Sequence, residues 1–148
     1  MIPFALFLKL VCFGECTGIT FIDSAKIAVC KNKRIKRKRV FKDAASISKS
    51  TPGWFYGFKL PLAANDKGGL LYFCITPANA DDRQWSVIQL LCKKLFGKLY
   101  GGKAYLSASL CKLLFEEGWR LITGVENNMK NRLMTMIDKI LLRKCSVI

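Results

Sequence analysis

The chain has 148 residues, 25 of them Lys or Arg against 10 Asp or Glu and no His, for a formal charge of +15. That length holds one compact domain burying about two thirds of its unfolded surface, and the charge favours polyanionic partners, nucleic acid ahead of an anionic membrane. The hydrophobic fraction is 51% and mean hydropathy is +0.20, yet the longest apolar run, residues 2–8, is far short of the roughly 20 residues a bilayer span needs.

That run also lacks the basic flank of a secretory signal, and no small-residue cleavage site clearly follows. A cytoplasmic protein without membrane association is the expectation. The seven cysteines (Cys12, Cys16, Cys30, Cys74, Cys92, Cys111, Cys145) are odd in number and dispersed. They read as small buried hydrophobes in a reducing compartment. The absence of His, with Cys12 and Cys16 lacking a second pair, argues against a zinc site.

In chain order, residues 20–30 (TFIDSAKIAVC) predict a buried strand carrying one acid, Asp23. Residues 31–42 (KNKRIKRKRVFK) hold eight cations in twelve positions: Lys31, Lys33, Arg34, Lys36, Arg37, Lys38, Arg39 and Lys42. Residues 46–53 (SISKSTPG) read as a loop by composition. Residues 54–64 are extended and aromatic, 65–68 (NDKG) are a turn, and 70–76 (LLYFCIT) are a second strand, together a β-hairpin. Pro61 cannot donate to a ladder, which suggests an edge strand or a bulge.

From residue 79 the period becomes helical. Asp81 and Asp82 fit an N-cap and first turn, and Trp85, Ile88, Leu91 and Leu95 repeat at helical spacing up to Gly97. Leu99 and Tyr100 suggest a short strand before Gly101 and Gly102. Ser107 can cap a helix facing Leu110, Leu113 and Leu114 inward and ending at Gly118. Residues 119–123 (WRLIT) predict a strand, and Met129, Leu133, Met136, Ile137, Ile140 and Leu141 mark a last amphipathic helix. The order implies an α/β layered domain with a mixed sheet.

Asp23 is the acid of most interest, since a carboxylate in an apolar strand is costly unless paired, capped or metal-bound. A purely structural pairing satisfies that condition equally well. The basic run is a solvated loop, a phosphate-tracking loop or a localisation patch, and composition does not separate these. If half of its cations met phosphates, log K would fall with log salt at a slope of about −3.6. Trp54, Phe55, Tyr56 and Phe58 fit hairpin packing better than base stacking. Lys103 after Gly101 and Gly102 lacks the spacing of a phosphate loop.

Taken together, FIDSAKIAVC, the basic run, GWFYGFKL, NDKG, FCITPANADDR, KLFGKLYGGKAYLS and NMKNRLM…DKILLRK resemble bacterial insertion-sequence transposases with an Asp-Asp-Glu, RNase H-like core. The resemblance is to the insertion-sequence family numbered nine-eight-two, in order over nearly the whole chain. It implies a mixed sheet flanked by helices, DNA as partner, and Mg²⁺ or Mn²⁺ held by three carboxylates for phosphodiester cleavage and strand transfer. Asp23 matches the first acid and would be a metal ligand. The second acid belongs in a Gly-Asp-Lys-Gly-Tyr block that here reads Gly101-Gly102-Lys103-Ala104-Tyr105, so Gly102 holds its position.

The third acid, a Glu on the last helix, is expected just beyond Ile148, and the family's N-terminal region is expected ahead of residue 1. Pro61 departs from a His usual in its strand. Residues 1–148 are therefore expected to be a partial catalytic domain, truncated at both ends, inactive, and without stable metal binding. Asp66, Asp81 and Asp82, in turn and cap positions, are not expected to compensate. A non-enzymatic DNA-binding protein, or an inhibitor pairing with an intact transposase, is the alternative. A membrane-associated peptide is a weaker third reading.

Overall fold

The computed structural model describes residues 6, 12–30, 34–35, 41–50, 53–93, 95–124 and 134–145. Among them a seven-stranded mixed sheet is flanked by three α-helices. The strands are β1 (Ile19–Cys30), β2 (Ser46–Ser50), β3 (Gly53–Asn65), β4 (Leu70–Phe73), β5 (Thr76–Pro77), β6 (Lys98–Gly101) and β7 (Arg120–Thr123). The helices are α1 (Trp85–Cys92), α2 (Ala108–Glu116) and α3 (Met136–Cys145), with a 3₁₀ turn at Lys103–Tyr105. The α/β class with a mixed, helix-flanked sheet is the one read from sequence.

The sheet runs β2-β3-β1-β6-β7, with β4 and β5 also paired to β3. β1 is antiparallel to β3 and parallel to β6, and β6 is parallel to β7. The crossovers through α1 and α2 deliver the two parallel strands, as such connections require. α1 and α2 cover one face, where Ile22, Ala63, Leu99 and Tyr105 pack with Ile88, Leu91, Leu110 and Leu114. α3 covers the other, where Phe21, Tyr100 and Ile122 pack with Leu141 and Cys145. The centre of the sheet is thus buried on both sides, which is why its strands read as continuous apolar runs.

Several local expectations are corrected. Residues 46–50 form a strand rather than a loop, because Ile47 and Lys49 pair with Tyr56 and Trp54 of the long β3. Pro61 lies in an interior strand, paired with Ser24, with no bulge at that point. Its missing N–H instead interrupts the neighbouring edge: β4 stops at Phe73 and β5 resumes at Thr76, with only the Cys74 N–H bonding to the Pro61 carbonyl at 3.1 Å.

The helices are shorter than their periodicity. Gln84, not Asp81 or Asp82, precedes α1. Asp81 instead closes a turn onto Arg83, and Asp82 pairs with Lys59 at 3.1 Å. Ser107 caps α2 as expected, accepting from the Leu110 N–H, but Leu113 is 39% exposed. On α3 the inward face carries Asp138, Leu141 and Cys145, while Met136, Ile137 and Ile140 point to solvent. Met129 and Leu133 lie outside the described residues. Of the cysteines, Cys92 and Cys145 are buried, Cys12 is exposed and the other four are half-buried, all of them free thiols.

Candidate active site and nucleic-acid interface

β1 is buried only over Thr20–Ile22; from Asp23 onward most of it is exposed. Asp23 therefore is not the buried acid its sequence neighbours suggested. Its side chain reaches solvent on the α3 face, and its Oδ1 accepts the Ser24 N–H at 2.8 Å. An exposed carboxylate carries no large desolvation cost, so it requires no buried partner.

The parallel pair β1–β6 sets Phe21 beside Tyr100 and Ile22 beside Gly101. One residue further along that register, Gly102 follows beside Asp23. Phe21 and Tyr100 share the α3 face, with ring centroids 5.6 Å apart, so Asp23 and position 102 share it as well. Gly102 has φ −63 and ψ 175, a conformation any residue adopts, and a Cβ built there meets no heavy atom within 4 Å. Nothing in the backbone calls for glycine at 102. Gly57 differs: a Cβ there would collide with the Ile27 carbonyl where β1 bulges.

The C-terminal turn of α3 closes over the same strand ends. The Cys145 thiol lies 3.7 Å from the Ile22 carbonyl and 3.6 Å from that of Tyr100. Burial and then the negative charge of Asp23 push this thiol up to about 11. The helix is fixed by Asp138, 2% exposed, which accepts from the Tyr100 hydroxyl at 2.7 Å and Lys98 Nζ at 3.0 Å. Burial alone would raise the Asp138 carboxyl, but the bonds from Tyr100, Lys98 and Thr135 outweigh it and hold it at about 2. Burial and then the bond to Asp138 push the Tyr100 hydroxyl upward. Sequence reasoning missed Asp138; the one available signal was the Thr135-x-x-Asp138 spacing of a helix start, and the Asp138 N–H does bond to Thr135 Oγ1 at 3.2 Å.

A family model described as the transposase DDE domain matches residues 13–148. The chain belongs to the DDE transposase domain family. No curated protein and no solved structure matches it.

The DDE family acts on DNA and works with divalent metal ions. Here the donor set at the strand ends is one carboxylate, Asp23, beside a glycine. Among the described residues no three His, Cys, Asp or Glu are grouped so as to hold a metal. The remaining acids of interest are engaged elsewhere: Asp66 with Thr17, Asp81 with Arg83, and Asp82 with Lys59. The described residues at these strand ends do not by themselves make up a two-metal centre, which needs several anionic oxygens.

Of the basic run, Arg34 and Lys42 are exposed. Lys31, Lys33, Lys36, Arg37, Lys38 and Arg39 lie outside the described residues. No helix among the described residues is long and apolar enough to cross a membrane. A groove of about 500 Å³ between α1 and α2, lined in part by Trp85, Leu90 and Trp119, lies on the helix-covered face opposite Asp23.

Proposed function

We propose that the chain is a transposase of the insertion-sequence family nine-eight-two by descent, whose residues 1–148 bind DNA without cleaving it. The observation that carries this reading is Gly102 beside Asp23 in a conformation that needs no glycine. The fold that would present a second acid is kept, and the acid is not. In this reading Asp23 is the remaining metal ligand, and by itself it displaces too little water from Mg²⁺ or Mn²⁺ to fix the geometry of phosphodiester cleavage.

Lys31, Lys33, Arg34, Lys36, Arg37, Lys38, Arg39 and Lys42 carry the DNA contact, through phosphates and with no preference among sequences. Replacing Lys36, Arg37, Lys38 and Arg39 with Ala is expected to lower affinity alike on all sequences and to flatten the salt slope. Unchanged affinity in that variant would move the interface elsewhere.

A second reading rests on the same glycine. A chain that keeps the sheet and the cations but lacks the second acid can occupy DNA ends or pair with an intact transposase, and so inhibit it. Co-purification with an intact transposase, and suppression of its strand transfer in a mixed reaction, is the result expected of an inhibitor. Strand transfer unaffected by excess chain would leave simple DNA binding.

A further inference from the structure

The sheet face that carries Asp23 continues, past the end of α3, into an uncovered apolar surface. Register places the side chains. Asp23, Ala25 and Ile27 alternate along β1, and Ile27 pairs with Phe58. Phe58, Tyr56 and Trp54 alternate along β3 on that same face, and Tyr56 and Trp54 pair with Ile47 and Lys49 of β2. The Phe41 ring sits edge-on to Phe58, with centroids 5.5 Å apart, and the Tyr56 hydroxyl donates to the Phe41 carbonyl at 3.0 Å. Ile27, Phe41, Ile47 and Trp54 are left 40, 54, 49 and 57% exposed, a grouping beyond the scattered apolar residues normal on a surface.

The charge around this surface indicates what would cover it. In sequence, residues 24–60 contain eleven Lys or Arg and one acid, Asp43; of these cations Lys26 and Lys59 lie on the opposite face, and Lys42 and Lys49 border this one. Lys49 stands directly across from Trp54, and Lys42 is exposed next to Phe41. A second copy of a +15 chain would meet like charge here, whereas a polyanion with apolar faces meets both cations and aromatic surface. Duplex DNA offers phosphates but keeps its base faces stacked. Single-stranded nucleic acid offers both, which is the combination that stacking platforms in basic grooves bind.

We infer that this face binds unpaired nucleotides, with Trp54 as the residue on which a base stacks, Ile47 and Phe41 as the apolar floor, and Lys49 and Lys42 on phosphates. This rests on the DNA-binding reading above and adds a preference for single strands. Trp54 lies eight residues along β3 from Leu62, the partner of Asp23, about 27 Å at strand rise. One strand can therefore span both.

The test is titration of the whole chain with a mixed-sequence single strand and with the same sequence as a blunt duplex. Trp54→Ala is expected to lower single-strand affinity about 5- to 100-fold and duplex affinity less than about twofold, with the salt slope unchanged. Trp54→Phe, which keeps a ring, is expected to retain most of the single-strand affinity. Indole fluorescence is expected to be quenched by the single strand in the wild type but not in Trp54→Ala. Equal loss on both DNAs, or no loss on the single strand, would overturn the inference and leave DNA binding standing. Conversion of a dimer to a monomer by Trp54→Ala would also overturn it, assigning the face to a second copy. A wild type that binds neither DNA would remove the DNA-binding reading itself, and this inference with it.

Discussion

Gly102 and Gly57 are both glycines on the sheet, and they make opposite predictions. Gly57→Ala pushes a methyl into the Ile27 carbonyl and is expected to cost about 1–3 kcal/mol. Gly102→Asp enters open space at an ordinary φ and is expected to change stability by less than about 0.5 kcal/mol. It sets a second carboxylate beside Asp23. Calorimetric titration with Mn²⁺ is expected to detect binding in Gly102→Asp that is lost again in the double variant with Asp23→Ala. A strongly destabilised Gly102→Asp would show that this glycine is required by the fold.

Asp138 makes a pH prediction. Its folded carboxyl sits near 2, below the ordinary 3.8, so the unfolded chain binds more protons between those values. Its stabilisation is then fully present above about pH 4 and lost as pH falls toward 2, on the order of 1–2 kcal/mol in total. Asp138→Asn is expected to be less stable than wild type at pH 6, with the gap closing near pH 2, as measured by urea melts. A gap that persists at pH 2 would place the loss in packing rather than charge.

Among the elements, legibility followed how completely the surroundings agreed with local pattern. β1, β3, β6 and β7 were readable because apolar or aromatic residues run together in each of them. β2 was not, since Ser-Ile-Ser-Lys-Ser becomes a strand only by lying against β3. The face of α3 was misassigned because Met136, Ile137 and Ile140 compete with Leu141 for the apolar stripe, and the polar Asp138 took the inward position through Tyr100 and Lys98. That correction is testable by mutation. Ile140→Lys is expected to change stability by less than about 0.5 kcal/mol, whereas Leu141→Ala costs about 2–4 kcal/mol in chemical denaturation. The reverse order would restore the face suggested by periodicity.

For the whole molecule, the sheet order brings Asp23, Gly102 and the end of α3 to one place although 122 positions separate residue 23 from residue 145. In the sequence, residues 23 and 102 are singled out for comparison by the family resemblance of their motif blocks. Composition alone gave only the charge. It could not reveal that Asp23 is exposed or that the basic, aromatic end of the sheet lies on the same face. We propose that this DDE-family sheet, with Gly102 beside Asp23, holds DNA but does not cut it. The most direct measurement is nicking of supercoiled plasmid and terminal-repeat duplex by the purified chain with Mg²⁺ or Mn²⁺. No metal-dependent product is predicted, while DNA binding persists and weakens with salt. Metal-dependent cleavage that disappears in Asp23→Ala would contradict the claim.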